Sequence, residues 1–228
     1  MFENKTLVGI GCSHVYGSYE GDYNIASCHE RSWVNKLEKL GNFKSSINLG
    51  LEGGSNDRSV RELINFLKNN SADSLVVIFS ITELSRTEFP ISNNNQKCVS
   101  HWTLKDEAFI ADIKKKEFLE TYYNYFQNDN YDKKIINQQI LMLHTLLKSL
   151  NIEHYFFNMI NLLDGIEKIQ FGIQIPFIDL LFKGVNQNVY SFLRYNKFPI
   201  GTCQHFDHDA NQFLAEHIYK QIKEQYYG

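Results

Sequence analysis

A chain of 228 residues with 43% hydrophobic and 21% charged side chains fits one well-buried globular α/β domain. Its net charge of −3 argues against a surface that grips duplex nucleic acid. No run reaches the roughly 18 apolar residues of a membrane helix, and no basic start leads an apolar run of signal-peptide length, so a cytoplasmic location without a membrane partner is expected.

Lys5-Thr6-Leu7-Val8 opens a β-prone run that continues to about Cys12 and ends in a tight turn holding Ser13. Residues Tyr16 to Cys28 read as a loop. Trp33, Val34, Leu37 and Leu40 then fall at helical spacing, with Gly41 as the stop. Ser45–Leu49 is a short second strand leading into Gly50-Leu51-Glu52-Gly53-Gly54-Ser55-Asn56. Val60, Leu63, Ile64 and Leu67 mark the next helix, with Ser55 or Asn56 as its N-cap and Asp57 suited to its positive end.

Leu75-Val76-Val77-Ile78-Phe79 is a continuous apolar run, the mark of a strand buried on both faces. Pro90 to Ser100 is polar and rich in Asn, so a loop. A helix is expected from Leu104 to Phe126, with Phe109, Ile110, Ile113, Tyr122 and Phe126 facing inward. A stronger one spans Tyr131 to Leu150, striped by Ile136, Ile140, Leu143, Leu147 and Leu150. Glu153–Asn158 is the fourth strand. Met159 to Pro199 follows no sustained period and reads as an elaborated segment with short helices. A last helix carries Ala210, Phe213, Leu214, His217, Ile218 and Ile222 on one face, with Asp207 as N-cap.

This alternation predicts a single domain over residues 1–228: a three-layer α/β/α sandwich on a central, mostly parallel sheet, with helical insertions at about 90–130 and 159–200. Ligands of such sheets sit beyond the carboxyl ends of the strands. The turns at Ser13, Gly53 and Thr82 would share that edge, and the loop at His205 can fold over it. A serine there is a candidate nucleophile if a base reaches it. Cys12, Cys28, Cys98 and Cys203 show no metal-ligand spacing and read as reduced thiols, so neither metal nor cofactor is expected. No lysine follows Gly53-Gly54-Ser55 in the P-loop pattern, which argues against a nucleotide site.

Four blocks in order resemble the SGNH (GDSL-like) hydrolase family: Gly11-Cys12-Ser13-His14, Asn48 through Ser55, Ser80-Ile81-Thr82-Glu83, and His205 through Ala215. Gly-Cys-Ser-His, Gly-Gly-Ser-Asn and Thr82-x-x-x-Arg86-x-Glu88 also look like a branch common among phage and other viral proteins. The resemblance implies the SGNH or flavodoxin-like fold, with Ser13 attacking an acyl carbon and His205 as base. It implies an oxyanion hole from the backbone N–H groups of Ser13 and Gly53, plus an asparagine side chain. The aligned residue is Thr82, a shorter donor, and Asn56 is the alternative. His14, Arg86 and Glu88 are candidate substrate-binding side chains. For Arg86 the roles are a carboxylate- or phosphate-binding fork, or a surface pair with Glu83 or Glu88.

The family's base is usually oriented by an Asp three residues earlier, and here that position is Thr202. Cys12 stands where the family often has Asp. His205 is preferred to His208 because its spacing to Ala215 fits the family. The expectation is a serine esterase acting on a small-molecule or glycan ester, such as an O-acetyl group on a saccharide. Its rivals are a non-catalytic binding module on the same fold and an assembly protein of a virus particle.

Overall fold

The computed structural model describes residues 2–20, 24–92, 95–99, 113–160, 169–182 and 185–227. The chain opens with β1 (Thr6–Ile10), α1 (Ser13–Tyr16), α2 (Ile25–Arg31), α3 (Trp33–Gly41), β2 (Ser45–Asn48), α4 (Asn56–Asn69) and β3 (Leu75–Ile81). A hairpin of β4 (Thr87–Ser92) and β5 (Asn95–Val99) follows, then α5 (Ile113–Thr121), a π-helical turn (Tyr122–Phe126), α6 (Asp129–Ser149) and β6 (Glu153–Asn158). Next come β7 (Ile169–Gln170) with β8 (Ile173–Gln174), β9 (Leu180–Phe182) with β10 (Val185–Gln187), α7 (Val189–Tyr195) and α8 (His208–Tyr227).

The main sheet has the order β2-β1-β3-β6, parallel throughout. Beyond β6, Phe177 makes a lone parallel bridge to Phe156. Strand side chains alternate between two cores, as the two-residue period of a strand requires. Leu7, Val76, Ile78, Tyr155 and Phe157 face a cluster with Trp33, Val34 and Leu37 of α3 and Leu214 and Ile218 of α8. Val8, Ile10, Val77, Phe79 and Phe156 face the other, with Val60 and Leu63 of α4 and Ile136, Ile140, Leu143 and Leu147 of α6. Helices therefore cover both faces, and the expected three-layer arrangement is found. Each fully buried side chain of this kind stabilises by about 1.5–3 kcal/mol, which is why the apolar runs dictate the layers.

Three expectations need correction. Residues 25–31 form a helix, not loop: Asn24 caps it, its side chain accepting the Ser27 N–H at 3.2 Å, and Cys28 is its buried residue. The stretch after Thr87 is a β-hairpin, not a polar loop or a helical insertion. It is fastened by the bidentate Arg61–Glu88 pair and by Phe89, whose ring meets Phe118 and Tyr122 edge-on at 5.1 Å. Among the described residues of 159–200, two hairpins accompany helix α7. Of the helix expected over Leu104–Phe126, the part from Ile113 onward is helical, and Phe109 and Ile110 lie outside the described residues. His101 and Trp102 lie outside them too. Among the described residues no helix is long and apolar enough to cross a membrane, and no group of three or more His, Cys, Asp or Glu is placed to hold a metal ion.

Candidate active site

The first turn after β1 is fixed from behind. Ser13 begins α1, a helix of one turn. Gly17 closes it with φ +93°, a left-handed conformation. The Val15 carbonyl oxygen accepts from Ser32 Oγ at 2.6 Å and from Asn48 Nδ2 at 2.7 Å. Asn48 Oδ1 accepts the Gly50 N–H at 2.9 Å, tying the second glycine-rich loop to the same point. Ile10 lies opposite Phe79, so the turn after β1 runs beside the turn after β3.

Ser13 is 5% exposed, and its hydroxyl makes no hydrogen bond to a described residue. The N–H groups of Ser13 and Gly53 likewise meet no acceptor among the described residues. Gly53 has φ +65°, and a side chain added there would meet nothing within 4 Å, so this turn faces open space. Thr82 is fully buried, and its Oγ1 has no partner among the described residues. Asn56 is turned onto the main chain of Thr82: its Oδ1 accepts the Thr82 N–H at 2.9 Å, and its Nδ2 donates to the Thr82 carbonyl at 3.3 Å. Both ends of that amide hold the β3 turn.

His205 arrives from the far end of the chain. Its ring centroid lies 4.7 Å from that of His14, the residue after Ser13. Its loop is a tight turn: Gly201 N–H donates to the His205 carbonyl at 2.9 Å, and Ile200 bridges Phe206. Glu20 clasps the turn. Its carboxylate accepts the Thr202 N–H at 2.7 Å and the Thr202 hydroxyl at 2.9 Å, while the Glu20 N–H donates to Cys203 Sγ at 3.1 Å. Sequence reasoning missed Glu20, and no local pattern links it to a residue 182 positions later. Among the described residues Nδ1 of His205 is buried without a hydrogen-bond partner, and no carboxylate orients the ring directly. His208 points elsewhere, with both ring nitrogens within 3.0 Å of Lys36 Nζ.

Burial pushes the His205 pKa below 6.5, against the opposing pull of the Cys203 backbone and of Glu52. His14 is driven well below 6.5 by burial, then by His205 and Arg86. Both rings are therefore neutral at pH 7. Arg86 pairs through Nε with Glu83 at 3.2 Å, and its Nη1 is buried with no partner among the described residues. Glu88 accepts Arg61 Nε at 3.0 Å and Nη2 at 2.7 Å, which ties it to α4.

Burial also lowers the pKa of His144 and His154. The unfolded chain takes up protons near pH 6.5 at all four positions, while the folded chain resists until lower pH. Stability is thus full above pH 6.5 and falls as pH drops from there through the folded values. Thermal melts between pH 7.5 and pH 5, above most carboxylate titration, are expected to lose ~2–4 °C for each kcal/mol forfeited. A melting temperature flat across that range contradicts neutral burial.

Two solved structures share this fold along nearly their whole length. The psychrotrophic esterase EstA from Pseudoalteromonas sp., solved inhibited by monoethylphosphonate, is 11% identical, with 99% of this chain and 100% of that chain covered and a TM-score of 0.52. The lipase Lip_vut3 from a goat rumen metagenome is 13% identical, with 99% of each chain covered and a TM-score of 0.51. At these identities the likeness establishes the fold, which is the one the resemblance to SGNH hydrolases implied. No family model matches the chain, and no curated protein matches it.

Proposed function

We propose that the protein is a serine esterase of the SGNH type, acting on a small acyl ester with Ser13 as nucleophile and His205 as general base. The observation that carries this reading is the His205 ring beside that of His14, 4.7 Å between centroids, at the turn where Ser13 opens a helix. The names of the two solved relatives, an esterase and a lipase, agree with it.

In this mechanism Ser13 Oγ attacks the acyl carbon and its proton passes to Nε2 of His205. Nδ1, buried on the inner side, keeps its hydrogen throughout. The carbonyl oxygen, now negative, is met by the N–H groups of Ser13 and Gly53 and by the unpartnered hydroxyl of Thr82. Collapse breaks the ester bond, and the leaving alkoxide takes the proton from His205. Water then repeats the sequence on the acyl-enzyme and releases the acid. Glu20 acts as a positioning residue, holding the base's loop through Thr202 where the family places a carboxylate against the ring. The unpartnered Nη1 of Arg86 suits a substrate oxygen with negative charge. An O-acetylated saccharide is the glycan ester to try first.

Wild-type protein is expected to hydrolyse p-nitrophenyl acetate and to carry a fluorophosphonate probe on the Ser13 peptide, located by mass spectrometry. A non-catalytic binding module on this fold is the rival, motivated by the missing carboxylate at position 202. It predicts neither turnover nor a labelled serine.

A further inference from the structure

The base of the proposed reaction has a fixed main chain and a ring that no hydrogen bond orients. Glu20 clasps its loop through Thr202, and α7 adds a second tie, the Tyr190 hydroxyl donating to Gln204 Oε1 at 2.7 Å. Gln204 lies at φ +63°, a left-handed conformation that residues other than glycine adopt only where their surroundings impose it. These contacts place the backbone of His205. They do not set its ring, because the last torsion of a histidine is broad. Nδ1 completes no hydrogen bond with a described residue, the nearby Cys203 main chain included. An imidazole that swings presents Nε2 to Ser13 only part of the time, and a misplacement of about 1 Å can cost about 10²-fold in rate.

Among the described residues, the ring that meets it is that of His14. The two centroids are 4.7 Å apart and the planes are inclined at 42°. His14 is itself held firmly. It is 9% exposed, and it belongs to the turn whose Val15 carbonyl is gripped by Ser32 and Asn48. Its other neighbour is Phe206, 5.8 Å away, which packs edge-on against Tyr190 at 5.3 Å. The His14 ring makes no hydrogen bond to a described residue, so what it offers His205 is packing. Burial, then His205 and Arg86, hold His14 well below pH 6.5. When His205 takes the serine proton, its neighbour therefore stays uncharged and does not repel it.

We infer that His14 is a positioning residue for the base. Its ring packs against His205 and holds Nε2 toward Ser13, the task that the family resemblance assigns to a carboxylate where this chain has Thr202. One turn, α1, then carries both the nucleophile and the brace for its base. The inference rests on the esterase reading of Ser13 and His205.

Two variants test it, each measured in two ways. In His14→Ala, kcat for p-nitrophenyl acetate, counted per serine labelled by the fluorophosphonate probe, is expected to fall about 10²-fold, with KM within about twofold of wild type. His14→Phe restores a ring without a titrating nitrogen and is expected to recover at least about tenfold of that loss. NMR titration of the His205 ring reads the contact without turnover. Glu52, Arg86 and the Cys203 main chain, which also act on that ring, stay in both variants, so a difference reports burial. The midpoint is expected below pH 6.5 in wild type and in His14→Phe, and to rise toward 6.5 in His14→Ala, where water reaches the ring. Equal losses in the two variants, a loss carried by KM, or a His205 midpoint unmoved in His14→Ala overturns the inference. Wild-type protein that neither hydrolyses the ester nor takes the probe sinks the esterase reading instead, and the titration still decides whether His14 holds the ring.

Discussion

Replacing His205 by alanine is expected to lower kcat/KM for p-nitrophenyl acetate by about 10³-fold, and adding Ser13→Ala to the same chain to lower it little further. A nucleophile and its base act as one device, so removing either removes both. What remains is the donor set of Ser13, Gly53 and Thr82, which still favours the oxyanion. Steady-state rates of the two single variants and the double variant decide the matter. Multiplying losses would mean that the residues work independently and that the pairing is wrong. His208→Ala is the control, since that ring lies against Lys36 and should leave the rate near wild type. The pH profile carries the same message with a sign. Only the neutral imidazole accepts a proton, so kcat/KM rises with pH through the lowered pKa of His205. Half-maximal rate is expected below pH 6.5, because burial is the leading cause of the shift.

Gly17→Ala is expected to cost more stability than any single surface change, upward of about 3 kcal/mol. Two penalties coincide there. The residue sits at φ +93°, and a Cβ would lie 2.0 Å from the Cys28 carbonyl oxygen and 3.0 Å from the Ser32 nitrogen. Both neighbours are main chain, at the end of α2 and the cap of α3, so no rotamer relieves the clash. Gly53→Ala separates the two penalties. Its φ of +65° is also left-handed, but nothing lies within 4 Å, so roughly 1 kcal/mol is expected from conformation alone. Urea midpoints of the two variants should differ accordingly. Equal midpoints would show that α2 yields freely around the serine turn.

The layers were legible because their cause is local. Leu75–Ile81 is apolar at every position but Ser80, and α6 repeats its apolar residues along one stripe. Caps were readable for the same reason: Ser55 Oγ accepts the Arg58 N–H at 3.2 Å, and Asp207 Oδ1 accepts the Ala210 N–H at 2.9 Å. What escaped has its cause elsewhere in the chain. Glu88 has Arg86 beside it in sequence, yet binds Arg61 on another element. The β4–β5 hairpin looks polar in sequence because its apolar contact, Phe89, meets partners some thirty positions away. α2 has a single buried residue, too little for a periodic signal. Asn56 reads as a free amide until Thr82 is seen to occupy it. Ser13, Gly53 and Thr82 were visible as turns at strand ends, but the clasp on Thr202 was not.

That clasp has a consequence for how the molecule is made. Ser13 leaves the ribosome early, and the residue that secures the opposite loop meets its mate only after 182 further positions have been added. A growing polypeptide can lay down β1, β2, β3 and β6 while the imidazole of residue 205 is still untranslated. On the proposed reading the Ser13 hydroxyl lacks its base throughout that interval, and it becomes a nucleophile only when the final helix docks.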